Sequence, residues 1–340
     1  KIARQPCQGE IQLPLSDCGV VALDYRGRAG IATSIGHAPQ AALVDPAAGS
    51  VLSIAEALTN IVWAPLAEGL DSVSLSANWM WPCKNEGEDA RLYRAVEACS
   101  DFACSLGINI PTGKDSLSMT QKYGNDKVYS PGTVIISAGA EVSDIRKVVS
   151  PVLRTGIEST VYYIDFSFDR LKLGGSAFAQ SLNKVGKEVP TVQDSEYFAA
   201  AFNAVQELVK KELILAGHDI SAGGMITTLL EMNFANTEGG LEVSLDEIPE
   251  KDLVKILFSE NPGILIQVEK CEEVEKILKH AGVAFIKLAR PCEERHLLIH
   301  KDGADYQFFI DHLRDVWFEP YIQATGNSLS LIHISEPTRH

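Results

Sequence analysis

Asp17, Glu56, Asn60 and Asp219 lie in three short segments far apart in the chain. These are Ser16-Asp17, the run Glu56-Ala57-Leu58-Thr59-Asn60, and His218-Asp219-Ile220-Ser221-Ala222-Gly223-Gly224. All four side chains offer hard oxygen donors. Magnesium prefers such ligands and takes only a few from protein, leaving the rest to water and phosphate. Glu56 and Asn60 are four residues apart, so on a helix they project from one face, one turn apart. The glycine pair after Asp219 lets backbone come close to a phosphate. Together the segments are expected to hold one magnesium-bound nucleotide. Each also has an ordinary reading. Glu56 could sit on a solvated helix face, Asp17 in a turn, and residues 218–224 in a helix-to-helix loop with Gly217 as C-cap. Against the first stand Ala57, Leu58, Ile61 and Val62, which make this helix apolar; a carboxylate buried there needs a cation or donors.

Other residues offer weaker chemistry. Thr112-Gly113-Lys114-Asp115-Ser116-Leu117-Ser118 follows a short strand and carries a glycine, a lysine and hydroxyls suited to phosphate. It lacks the GxxxxGK[ST] spacing of a P-loop. Gly174-Gly175-Ser176 could bind an anion at a helix start or simply cap the helix. His37, His280 and His312 have no partner pattern and read as structural or exposed. Glu86, Glu88 and Asp89 read as the acidic opening of a helix. Seven cysteines in scattered positions form no CxxC pair, and fit free thiols in a reducing cytosol better than disulfides or zinc.

The elements that must position these groups follow from periodicity. Residues 11–25 read as strand with a tight turn at Tyr25-Arg26-Gly27. Ser50 to about Ala67 reads as helix, from Val51, Ile54, Ala55, Leu58, Ile61 and Val62. Asp71–Ser76 alternates like a strand and runs into a loop at Ala77-Asn78-Trp79. A helix is expected from Glu88 to Leu106, then a strand at Ile108–Pro111 feeding the 112–116 loop, and a buried strand at Thr133–Gly139. A polar break at Ser143–Glu158 divides the chain. Beyond it come a strand at Val161–Phe166, a helix from Glu196 to Ala216 that delivers the His218-Asp219 loop, strands near 263, 283 and 296, and a helix near 272–281. Strands mixed with helices in both halves predict an α/β or α+β fold. At 340 residues, two domains are the default. The net charge of −15 argues against a nucleic-acid partner, which would need clustered Lys and Arg. No apolar run approaches the roughly 20 residues of a membrane span, and the start shows no signal peptide. That start, Lys1-Ile2-Ala3-Arg4, reads as mid-protein. Residues 323–340 fit no element and are expected to be a non-native tail.

With these segments in view, the chain resembles phosphoribosylformylglycinamidine synthase in its large single-chain form, the ATP-dependent amidotransferase of purine biosynthesis. The resemblance rests on Gln12–Asp17, Gly36-His-Ala-Pro39, Glu56–Asn60, Leu75–Trp79, Gly87–Ala90, Pro111–Ser118, Leu173–Ser176, His218–Gly224 and Leu313–Trp317. It implies a two-domain architecture like that of aminoimidazole ribonucleotide synthase, in the family's second synthase domain pair. Residues 1–150 would be the N-terminal-type domain, with a mixed sheet that pairs with a partner copy, and 151–310 the C-terminal-type α/β domain. Residues 311–322 would begin a linker toward a glutaminase region. It further implies magnesium ligation by Asp17, Glu56, Asn60 and Asp219, and nucleotide contacts from Ser16 and Ser221. Gly113, Lys114 and Ser116 would reach toward a substrate phosphate. The implied partners are a first synthase domain pair and a glutaminase domain, with ATP or ADP bound, in the cytoplasm. The fragment alone would be inactive. A different possibility is a structural nucleotide that stabilises the assembly without turning over. A free-standing relative such as thiamin monophosphate kinase or selenophosphate synthetase is disfavoured by the Glu56–Asn60 and Ser76–Trp79 runs.

Overall fold

The computed structural model describes residues 2–325; most of the tail expected at 323–340 lies outside the described residues. The first half builds a mixed six-stranded sheet from β1 (Ile2–Arg4), β2 (Gly19–Ala22), β3 (Gly30–His37), β4 (Ser74–Met80), β5 (Asn109–Ser116) and β6 (Thr133–Val142), in the order β1-β2-β3-β6-β4-β5. Only β4 and β5 run parallel. Strict alternation along β3 buries Ala32 and Ser34 and leaves Ile31 and Ile35 on an open face, with Val21 beside them.

Three helices pack near the buried face: α1 (Pro39–Val44), α2 (Pro46–Ile61) and α3 (Glu88–Ser105). Helix α2 starts earlier and ends earlier than its periodicity suggested. The Asp45 side chain accepts from Ala47 and Ala48 N–H at 2.9 and 3.2 Å, and Pro46 opens the helix, a preorganised start. Gly36 sets how closely β3 can lie on α2. A Cβ there would fall 2.2 Å from the Ser53 carbonyl oxygen.

The second half builds a seven-stranded sheet from β7 (Thr160–Asp165), β8 (Ala216–Ile220), β9 (Gly240–Ser244), β10 (Gly263–Val268), β11 (Phe285–Cys292), β12 (His296–Lys301) and β13 (Ala304–Phe309), ordered β8-β10-β7-β11-β9-β12-β13. Its helices are α4 (Ala177–Ser181), α5 (Ser195–Lys210), α6 (Gly224–Phe234), α7 (Leu253–Phe258), α8 (Cys271–His280) and α9 (Ile310–Thr325). Side chains alternate between two cores. Tyr162, Ile164, Ile264 and Ile266 join α2, α3 and α5 in one continuous interior, whereas Val161, Tyr163 and Leu265 join α6 and Ile11, Leu13 and Leu15 in another. Burial on both faces is why β10 carries the apolar run Ile264-Leu265-Ile266 rather than alternating.

Four expectations need correction. Ala77-Asn78-Trp79 is not a loop but the middle of β4. Gly113–Ser116 belongs to edge strand β5, paired with Ala77–Met80. Helix α5 stops at Lys210, and His218-Asp219 stands in strand β8, paired with Leu265 and Ile264. Residues expected to begin a linker form helix α9, with Ile310 and Phe318 buried against the second core. The halves are bolted together by buried Gln206 of α5. Its amide donates to the carbonyls of Val62 and Ala64 at 2.6 and 2.9 Å and accepts from Leu66 N–H at 2.9 Å.

Candidate functional site

Strand β8 brings the acidic groups together because its side chains alternate. Gly217 faces Trp63, just beyond α2, so Asp219, two residues on, faces the α2 side and feels the charge of Glu56. His218 points the other way, and its Nε2 meets Glu231 Oε2 of α6 at 2.9 Å. Its Nδ1 lies 2.7 Å from Asp17 Oδ1 and 3.7 Å from Asp219 Oδ1. This is a close charge contact without the alignment of a hydrogen bond. Asp17, His218 and Asp219 thus converge, almost fully buried, from segments some two hundred residues apart.

The electrostatics show what the cluster lacks. Burial pushes the Asp17 carboxyl up, opposed by His218 and more weakly by Arg4. Burial, then Asp17, then Glu56 hold Asp219 well above the carboxylate range. Burial pushes Glu56 up to about 7, although it accepts the His37 N–H at 2.6 Å. For His218, burial works against the charged form, but Asp17 and Glu231 outweigh it and hold the imidazole well above its ordinary value. One imidazolium therefore faces several acids. Oδ2 of Asp17 and Oδ2 of Asp219 are both buried without a hydrogen-bond partner. Such oxygens are costly unless something supplies positive charge. The donor set and its unpartnered oxygens fit a hard divalent cation.

Beside the cluster opens a cleft whose walls come from both halves of the chain. Glu56, Leu52 and Ala41 wall it from the first half; Gly174, Gly175, Ile220, Ser221, Ala222 and Glu260 wall it from the second. Glu260 Oε1 accepts N–H groups from Gly223 at 2.8 Å and Ala177 at 2.7 Å, tying the turn before α6 to the start of α4. Gly224, at φ +73°, permits that turn; a Cβ on it would meet the Leu257 carbonyl oxygen at 2.7 Å.

The remaining predicted residues divide. Ser221 lines the cleft, whereas Ser16 lines a neighbouring hollow with Asp17 and Ile35 and donates to the Cys18 carbonyl at 2.9 Å. Asn60 sits one turn after Glu56, its Nδ2 donating to the Ile35 carbonyl at 3.0 Å. Gly113, Lys114 and Ser116 lie on β5, at the far edge of the first sheet from β2, and Lys114 reaches only Ser116 Oγ at 3.4 Å. Ser176 caps α4 through Ala179 N–H at 3.1 Å, the ordinary alternative for that motif. Sequence reasoning gave no role to His218, Glu231, Glu260 or Trp317. His218, beside Asp219, and Trp317, at the end of the Leu313–Trp317 run, lay within quoted motifs, whereas Glu231 and Glu260 did not. All seven cysteines are free, and burial pushes the Cys18 and Cys99 thiols up to about 12, which disarms them as nucleophiles.

Residues 1–141 match the family described as FGAR-AT PurM_N-like domain, and residues 160–290 match the C-terminal domain of AIR synthase related protein. A Caenorhabditis elegans protein named probable phosphoribosylformylglycinamidine synthase is 37% identical over 89% of this chain. The Homo sapiens phosphoribosylformylglycinamidine synthase is 39% identical over 86%. The chain belongs to the phosphoribosylformylglycinamidine synthase family. It spans about a quarter of the length of these relatives, 24% and 22% respectively. Among solved structures, Thermotoga maritima PurL complexed with FGAR aligns over 88% of this chain and 48% of its own, with TM-score 0.69 at 18% identity. The ADP complex of the same protein aligns over 91% and 47%, with TM-score 0.67 at 16% identity. At that identity the likeness establishes the synthase fold, a mixed α/β architecture. No helix among the described residues is long and apolar enough to cross a membrane.

Proposed function

We propose that this chain supplies a magnesium–adenine-nucleotide site to a phosphoribosylformylglycinamidine synthase. That enzyme would be an ATP-dependent carbon–nitrogen ligase converting formylglycinamide ribonucleotide and glutamine to formylglycinamidine ribonucleotide. The observation that carries the reading is the pair of buried, unpartnered Oδ2 atoms of Asp17 and Asp219 next to the cleft. Asp17, Asp219, Glu56 and Asn60 would hold the cation, with Ser16 and Ser221 contacting nucleotide. When bound, magnesium supplies charge neutralisation and a template for the polyphosphate. The chain's own groups do the rest. The His37 N–H keeps Glu56 aimed into the cleft, the partly positive start of α6 beyond Ser221 favours phosphate, and Leu52, Val189, Ile220 and Pro262 give an apolar wall for the base.

The open face of the first sheet, carrying Val21, Ile31 and Ile35, suits pairing with a first synthase domain pair of the same assembly. Gly113, Lys114 and Ser116, remote from the cleft, would serve the substrate phosphate across that junction. Ammonia would come from a separate glutaminase domain, and this chain alone would be inactive. A second reading, a structural nucleotide that turns nothing over, gains support from the cleft's walls, which come from both halves of the chain. A ligand there would clamp them.

The test of the site is a thermal melt of the chain with millimolar magnesium and ADP. Saturating ligand should raise the melting temperature, since about 100-fold excess over Kd is worth about 2.7 kcal/mol; Asp219→Ala should abolish the shift. A wild-type chain with no shift overturns the reading. The roles separate in the full-length enzyme: an Asp219→Ala variant that assembles but loses turnover supports catalysis. One that loses ADP and melts early with turnover intact supports the clamp.

A further inference from the structure

Two groups outside the site sets above are joined to it by a continuous, partly buried chain of contacts. Trp317 of α9 donates its indole N–H to Glu231 Oε1 at 2.9 Å. The other oxygen of that carboxylate faces His218 Nε2 at 2.9 Å, and His218 Nδ1 lies 2.7 Å from Asp17 Oδ1. The roles are fixed by chemistry. An indole N–H can only donate, so Oε1 accepts and the carboxylate plane is set. Its second oxygen then takes the Nε2–H, which leaves the imidazole ring no freedom to turn away from Asp17.

The arrangement is built rather than incidental. The exposures of the His218, Asp17 and Glu231 side chains are 7%, 3% and 19%. The Trp317 ring sits 5.5 Å from Phe234 of α6, and Arg295 of β11–β12 clamps Asp311 at 2.9 Å, so α9 is docked at both ends of this stretch. Stability alone does not call for such a series, because buried ion pairs are often matched or bettered by apolar packing. Outer contacts of this kind orient metal-ligating side chains, and losing one typically costs 10–100-fold in metal affinity.

We infer that Trp317, acting through Glu231 and His218, is a positioning residue that holds the Asp17 carboxylate in place for the divalent cation, so that the site is complete only when α9 is docked. This rests on the magnesium–nucleotide reading above. The test is calorimetric titration of magnesium with ADP into the chain, with the ligand-free melting temperature measured alongside. Trp317→Phe keeps an aromatic ring beside Phe234 while removing the indole N–H donor and a small part of the ring's volume. It should leave the ligand-free melt nearly unchanged and weaken Mg·ADP binding roughly ten-fold. In a Glu231→Leu background the same substitution should add nothing, because the chain of contacts is already cut. Unchanged affinity in Trp317→Phe, losses that simply add in the double variant, or a loss matched by an equal drop in ligand-free stability would each overturn the inference. Those results, with wild type binding and Asp219→Ala not, leave the nucleotide reading standing. A wild-type chain that binds no Mg·ADP overturns both.

Discussion

Two clusters of charge in this molecule are both built around carboxylates and reach opposite states. Near the surface, Glu275 of α8 accepts from Tyr162 Oη at 2.9 Å, Lys279 Nζ at 2.9 Å and Lys287 Nζ at 2.7 Å, and these donors hold its carboxyl down to about 2. In the interior, Asp17 and Asp219 share one imidazole with Glu231, Glu56 adds its charge to Asp219, and the carboxyls of Asp17, Asp219 and Glu56 are pushed up chiefly by burial. The first cluster is neutralised by the chain itself and asks for nothing. The second is left short of positive charge and two of its oxygens have no partner. An acidic cluster therefore points to a ligand through its missing cation, not through its acids.

The contrast extends to how the clusters are held, and Gly36→Ala is the harshest way to break it. The surface cluster depends on long side chains that can readjust. The buried one depends on β3 lying against α2, where a new Cβ at residue 36 would fall 2.2 Å from Ser53 O and 2.4 Å from Ala57 N. Both are backbone atoms, so strand and helix must part. We expect a loss of about 3 kcal/mol, in the upper range for overpacking, and loss of Mg·ADP binding as His37 N–H moves off Glu56. Thermal melts with and without ligand read both effects. A variant that melts like wild type would show that the acidic site does not rely on this contact.

The same difference decides what could be read from the sequence. Helix α3 and strand β6 declare themselves by periodicity, because each has one buried side. Strand β8 does not. All five of its residues are buried, and the apolar run Leu213–Leu215 before it continues the pattern of α5, so strand and helix merge in the sequence. Strand β5 fails for the opposite reason: mostly exposed, it has no apolar alternation and reads as a polar loop. Of the residues chosen for hard-oxygen chemistry, Glu56 lines the cleft, Asp17 and Asp219 meet at His218, Asp17 shares the neighbouring hollow with Ser16, and Asn60 bonds the Ile35 carbonyl. The Glu231–Trp317 contact joins positions 86 residues apart, and although Trp317 lies in the Leu313–Trp317 run, nothing local pairs it with Glu231.

Proton competition sharpens the comparison at intermediate cost. Glu56 is raised from 4.5 to about 7. Its folded-state value lies above the unfolded one, so its contribution to stability is fully present below about 4.5 and is lost as pH rises through about 7. A cation needs the ionised carboxylate, so binding must expel the proton. Mg·ADP affinity should therefore climb between pH 6 and pH 8, by up to about ten-fold per unit where one proton is released, and level off above. Titrations at pH 6, 7 and 8 measure it, and Glu56→Gln should make the curve shallower by the proton Glu56 releases, leaving the share of Asp219, which is also raised. Glu275, held at about 2, stays ionised throughout and contributes no such slope. A wild-type affinity that does not change over this range would remove Glu56 from the cation's ligands.

The smallest effect is expected from Lys287→Ala. The lysine is half exposed, at 53%, and exposed ion pairs are worth about 0–1 kcal/mol once solvent screening is counted. Glu275 keeps Tyr162 and Lys279 as partners, so no oxygen is stranded by the change. The melting temperature should move by no more than about 2 °C for a chain of this size, and Mg·ADP binding should match wild type. A larger loss would mean that the surface cluster also carries an uncompensated charge, and the distinction between a cluster satisfied by the chain and one awaiting a cation would then fail. If stability holds but ligand affinity shifts, the two sites communicate across the second sheet, and the cation site cannot be treated as local to β8, α2 and α6.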